Sequence, residues 1–202
     1  MPTPHEPDAD GWNDDDIPES GMDWRRSPGS FVLVPVGGAA GAALDAMRAV
    51  HDPKLARTNR PHLSLIGSSG AGPILPDEPD ATVRSALEAV AARMAPFEVA
   101  ALRPMRFPAT NIVSFELDPH GPLRALHEAV KASGLRFGPV RFPFSPHLTI
   151  SFYRTLDKTM ERALLQLRLE GPIVIDRLEL SHTNDPEPPS TVLTVPLTGG
   201  AG

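Results

Sequence analysis

The chain has 202 residues, 41% hydrophobic and 22% charged, enough apolar material for a sizeable core and too much for wholesale disorder. It contains no cysteine, which excludes disulfide frameworks, zinc–thiolate sites, iron–sulfur clusters and thiol nucleophiles. The formal charge of −6, taken alone, argues against a polyanionic partner.

That charge is unevenly distributed. Residues 1–24 hold eight acidic side chains, no Lys or Arg, and almost no apolar periodicity, so an acidic, disordered tail is expected over 1–27. Beyond residue 24 there are 19 basic and 17 acidic side chains, a net charge of +2, and 16 of the 19 cations are Arg. No run approaches the roughly 18 apolar residues that cross a bilayer. The N-terminus is acidic where a signal peptide is basic and then apolar, so a cytoplasmic location without a membrane partner is expected.

Apolar period and Gly/Pro punctuation predict the remaining elements in chain order. Phe31–Val36 reads as a strand, followed by a helix carrying Leu44, Met47 and Leu55 and a strand over Pro61–Ile66. Gly67–Gly72 reads as a flexible loop, a candidate lid. A helix over Thr82–Ala95 precedes strands at Phe97–Phe107 and Asn111–Asp118. Leu123, Leu126 and Val130 mark a helix that Gly134 ends as a left-handed cap. His147–Tyr153 is a strand, Met160, Leu164 and Leu167 mark the last helix, and Ile173–Leu180 and Thr191–Leu197 close the chain as strands. The order is strand, helix, strand, helix, strand, twice over, with one strand added. An internal repeat is expected, with lobes over 28–108 and 109–198 of a single domain, 28–202.

The middle strand of each half carries the same motif: Pro61-His62-Leu63-Ser64-Leu65 and Pro146-His147-Leu148-Thr149-Ile150. Alternation puts His62 with Ser64, and His147 with Thr149, on one face of each strand, and the aliphatic residues on the other. Two such matches arise by chance in about 1% of chains of ordinary composition. A pair of imidazoles and a pair of hydroxyls converging on a cleft suits general acid–base chemistry at a phosphate. One neutral ring takes a proton, one protonated ring gives one, and the hydroxyls donate to non-bridging oxygens.

With these motifs the chain resembles the two-histidine (2H) phosphoesterases, the superfamily of bacterial 2′-5′ RNA ligase/RNA 2′,3′-cyclic phosphodiesterases, whose signature is two His-x-Thr/Ser-x motifs. FVLVPV matches the family's opening strand, and DRLELSHT followed by TVLTVPL matches its ending. The resemblance implies an α/β (α+β) bilobal fold with antiparallel-rich sheets around a central cleft and helices outside. It also implies metal-independent hydrolysis of 2′,3′-cyclic phosphate on RNA ends or nucleotides to a 2′-phosphate, without a cofactor. By the same resemblance His147 is the base, His62 the acid, and Ser64 and Thr149 the phosphate donors. A monomer acting on RNA or a nucleotide bearing the cyclic phosphate is expected. The chain departs from close relatives at Phe152, where an Arg often follows the second motif, with Arg154 two residues on. It departs again at Pro189-Ser190-Thr191, where an aromatic residue often precedes the final strand.

Three further side chains are candidate substrate contacts. Arg154 and Arg60 flank the two motifs and suit bidentate phosphate binding, and Phe31 could stack on a base. Gly37–Gly41 lacks the spacing of a dinucleotide loop, and His127-Glu128 lacks the second His of a zinc-protease helix. Alternatives to cyclic phosphate hydrolysis are cleavage of 2′-5′ linkages or cyclic signalling nucleotides, 2′-5′ RNA ligation, and a non-catalytic RNA- or nucleotide-binding module.

Overall fold

A computed structural model describes residues 29–140, 142–183 and 190–200. The acidic tail read over 1–27 lies outside them. The elements are β1 (Gly29–Pro35), α1 (Gly38–His51), α2 (Pro53–Thr58), β2 (His62–Ile66), α3 (Asp80–Ala91), β3 (Phe97–Val99) and β4 (Ala101–Arg106). They continue with β5 (Val113–Leu117), α4 (Gly121–Lys131), β6 (His147–Ser151), α5 (Lys158–Leu165), β7 (Ile173–Ile175), β8 (Arg177–Thr183) and β9 (Ser190–Pro196). The expected long helix through Leu55 divides where Asp52 caps α2, its Oδ1 accepting from Leu55 N at 3.0 Å, with Pro53 at the first helical position. Gly134 adopts the left-handed conformation expected after α4, with φ at 91°.

Two of the expected strands are each two strands. Phe97–Phe107 breaks at Ala100, and Ile173–Leu180 breaks at Asp176. At each break the chain changes sheet. β3 pairs antiparallel with β7, while β4 joins β5 and β6, and β8 joins β1. The sheets run β2-β1-β8-β9 and β4-β5-β6. Each repeat thus lends its last strand to the sheet of the other, and the sheets do not follow the division at residue 108. Pro104, which has no N–H to give, sits in β4 at the edge of its sheet, where the register shifts.

The motif strands are the edge strands of their sheets. β2 borders one and β6 the other, and their Cα atoms approach within 8 Å without pairing. Each carries a bulge three residues past its histidine. Val32 faces Ile66 and Leu33 faces Ser64, leaving Leu65 extra; Val113 faces Ser151 and Ser114 faces Thr149, leaving Ile150 extra. Leu63, Leu65, Leu148 and Ile150 point into one core shared with Leu44, Leu87, Leu126 and Leu164 of the helices.

The loop after β2 is no lid. Gly70 N donates to Phe142 O at 2.9 Å, Ser69 Oγ accepts from Ser145 N at 3.0 Å, and Ser69 and Ala71 are buried. Gly70 has φ at 72°, and a Cβ there would meet His127 Nε2 at 2.6 Å, so only glycine fits. The loop is a packed wedge between β2 and the approach to β6.

Leu63 is fully buried behind the first motif. Its replacement by Ala is expected to cost about 2–5 kcal/mol through lost burial and the residual cavity. Urea denaturation should show this as a lowered midpoint with an unchanged slope.

Candidate functional site

The dipeptide Pro-His sets the same local geometry in both halves. The carbonyls of Pro61 and Pro146 accept from Val36 N and Leu117 N at 2.9 and 3.0 Å, continuing the two ladders. The carbonyl before each proline turns to the imidazole instead. His62 Nδ1 lies 2.7 Å from Arg60 O, and His147 Nδ1 lies 2.8 Å from Ser145 O. A carbonyl only accepts, so Nδ1 carries a proton in both rings whatever their charge, and Nε2 is left for chemistry. Phe107 packs edge-on against His147, ring centres 5.0 Å apart. Ser64 and Thr149 share the partly exposed face of their histidines. Ser114 Oγ, opposite Thr149 on β5, approaches Thr149 Oγ1 at 3.5 Å as a donor.

Two edge strands meeting without a ladder leave carbonyls unpaired, and side chains from the opposite repeat supply the donors. Arg48 on α1 is 1% exposed. Its Nε donates to Thr149 O at 2.8 Å and a terminal nitrogen to Asn59 O at 3.0 Å, joining β6 to the approach of β2. His127 on α4, fully buried and stacked on Phe144, has Nδ1 2.9 Å from Leu65 O, the bulge residue of β2. Asp52 completes the brace, Oδ2 accepting from Phe152 N and Tyr153 N at 2.7 and 2.8 Å, just past β6.

The two motif rings sit in unequal fields. Burial pushes the pKa of His62 down to about 4, and the charges of Arg48, His147 and Arg60 push the same way against the Arg60 carbonyl. His147 is also lowered, by burial, with the Ser145 carbonyl opposing. Arg48 itself falls to about 10 through burial, partly offset by Asp45 and Asp52, and remains charged.

The other expected contacts fall at different places. Arg60 ion-pairs with Glu179 of β8 at 3.1 Å and donates to Thr191 Oγ1 at 3.0 Å. Phe31 lies on the same face of β1 as Leu33, its ring covering Gly67. Arg154 reaches the end of α1, 3.5 Å from His51 O. Arg48, Asp52 and Glu179 were not singled out from the sequence. The spacing of Arg48 and Asp52, one helical turn apart, was the available signal, and it reads equally as a surface ion pair. Among the described residues, no group of three or more His, Asp or Glu side chains could hold a metal ion, and no helix is long and apolar enough to cross a membrane.

A profile of the 2′-5′ RNA ligase superfamily matches residues 36–187. The chain belongs to this superfamily. A sequence search of curated proteins finds no match. Among solved structures, TT0787 of Thermus thermophilus is similar at a TM-score of 0.64 and 17% identity, covering 85% of this chain and 99% of that one. Escherichia coli LigT complexed with 3′-AMP is similar at 0.57 and 15%, covering 85% and 98%, and LigT complexed with ATP at 0.55 and 16%, with the same coverage. At these identities the likeness is one of fold, and it agrees with the mixed α/β, antiparallel architecture implied by the family resemblance.

Two outcomes follow for this member of the superfamily. His62, His147 and His127 all have pKa values below the ordinary 6.5, chiefly through burial. The unfolded chain therefore binds more protons than the folded one between 6.5 and the lowered values, so stability falls as pH drops through that window, down to about 4 for His62. Thermal midpoints should decline over this range, and less steeply in H62N/H147N. Arg48→Met leaves two carbonyls without their donor and should lower stability by about 1–3 kcal/mol for each, measured by denaturant titration.

Proposed function

We propose that the protein hydrolyses 2′,3′-cyclic phosphate on RNA ends or nucleotides to a 2′-phosphate, using His62 and His147 as an acid–base pair. The supporting observation is the matched anchoring of both rings through Nδ1, which leaves each Nε2 available for proton transfer. The basic, Arg-rich composition beyond residue 24 suits an anionic substrate.

The unequal fields suggest an order. His62, pushed down by burial and by the charges of Arg48 and Arg60, is the ring held neutral, and a neutral Nε2 is what a base needs. His147, with burial as its lowering influence, is the better proton carrier. This reverses the order that the family resemblance implies. His62 Nε2 takes a proton from water as the water oxygen bonds phosphorus. The bond from phosphorus to O3′ breaks, and His147 Nε2–H protonates O3′. Ser64 and Thr149 donate to the non-bridging oxygens, where charge is concentrated in the transition state. Ser114, by donating to Thr149 Oγ1, leaves the threonine proton for the phosphate.

Asn places an amide N–H where Nδ1–H stood and removes Nε2. H62N and H147N should each reduce kcat by roughly 100-fold or more on 2′,3′-cyclic-phosphate RNA, read by an end-group assay. A substrate with sulfur at the 3′ bridging position leaves without protonation, so it should restore H147N and not H62N. Restoration of H62N alone would return the roles to the order of the resemblance. Activity should follow a bell-shaped pH profile and persist in EDTA; loss on chelation with recovery on adding metal would refute the metal-independent route.

A further inference from the structure

The first sheet carries a pocket whose lining begins at His62 and extends away from the acid–base pair to Glu179. Leu33 and Pro35 of β1 and Pro61 give it an apolar floor, and Glu179 with Thr191 forms its polar wall. Ser64 pairs with Leu33, and Leu33 with Glu179, across three adjacent strands. The carboxylate therefore stands two strand spacings, roughly 10 Å, from the hydroxyl-bearing motif strand. That is about the reach of one nucleoside.

Glu179 has a side chain only 8% exposed, yet its two oxygens are unequally satisfied. Oε2 accepts from Arg60 at 3.1 Å and Thr191 at 3.3 Å, whereas Oε1 has Arg177 Nε at a loose 3.8 Å. Arg60 is 71% exposed, so a ligand can displace it at little cost. A withdrawn carboxylate with spare acceptor capacity above an apolar floor asks for a flat ligand with N–H groups along one edge.

We infer that this pocket is a base subsite selective for guanine, an inference that rests on the nucleotide chemistry proposed for the same cleft. Guanine presents its ring N1–H and exocyclic amine side by side, two parallel donors for the two oxygens of one carboxylate. Adenine and cytosine set an acceptor nitrogen beside their amine, and uracil flanks its one N–H with two carbonyls. Each of these turns a lone pair toward Glu179.

The test is kcat/KM of the full chain on the 2′,3′-cyclic phosphates of guanosine, inosine, adenosine, cytidine and uridine. Guanosine should exceed adenosine by roughly 10-fold or more, with inosine, which lacks the amine, between them. In E179Q the guanosine-to-adenosine ratio should fall toward one. Because the ratio compares substrates within one preparation, loss of folded protein cancels. Equal rates in the unaltered protein, or an unchanged ratio in E179Q, would overturn the inference. If no cyclic nucleotide is turned over, calorimetric binding of guanosine and adenosine 2′-monophosphates reads the pocket separately. A guanosine preference that E179Q abolishes then supports the subsite while the hydrolysis reading fails, and equal or absent binding overturns the subsite.

Discussion

At the motif strands two sheet edges are brought together and kept from pairing. Unpaired strand edges offer rows of carbonyl and N–H groups that must find partners. Here the partners are side chains from the opposite repeat: Arg48 for Thr149, His127 for Leu65, Asp52 for the amides of Phe152 and Tyr153. Each repeat pairs one edge of its motif strand, β1 with β2 and β5 with β6, and the other repeat braces the outer edge. The spacing of the two imidazoles is therefore a property of the braces, and the burial of Arg48 both fixes the strands and supplies a charge that His62 feels.

The repeated motif conceals a division of labour between the halves. Opposite Thr149 on its neighbouring strand stands Ser114, a hydroxyl; opposite Ser64 stands Leu33, an apolar side chain beside Glu179. One half sets a second hydroxyl beside its motif threonine, the other an apolar side chain and a carboxylate beside its motif serine. A cleft that was chemically twofold would bind a substrate in two orientations. The unequal neighbours of the two hydroxyls give it a direction.

Much of this was legible in the sequence for a simple reason: alternation along HLSLI and HLTIS is a local property, and the core demands it wherever such a strand lies. The burial of Leu63, Leu65, Leu148 and Ile150 with the histidines on the other face follows directly. What was not legible depends on partners far away in the chain. Val99-Ala100-Ala101 contains no Gly or Pro to announce a break, and the chain leaves one sheet for another there only because β7 and β5 lie in different places. Arg48 stands one helical turn after the buried Leu44, on the core face of α1, but a charged side chain there reads as one reaching to solvent, and its burial depends on the distant carbonyl of Thr149. An aromatic side chain at Phe31 suits a base as well as a packing position, and its ring covers Gly67.

The exchange of strands between repeats also governs how the molecule can be made. β1 lies between β2 and β8, with Val32 opposite Leu180, so the sheet bearing His62 lacks its inner strand β8 until nearly all of the described chain has been synthesised. The sheet of β4, β5 and β6 is built from a continuous stretch and can assemble first, by short-range pairing. Until β8 arrives, β1 presents an unpaired hydrophobic edge rich in valine, the kind of surface that invites aggregation or rescue by a chaperone. On the ribosome, the sheet bearing the second histidine can be complete before the sheet bearing the first.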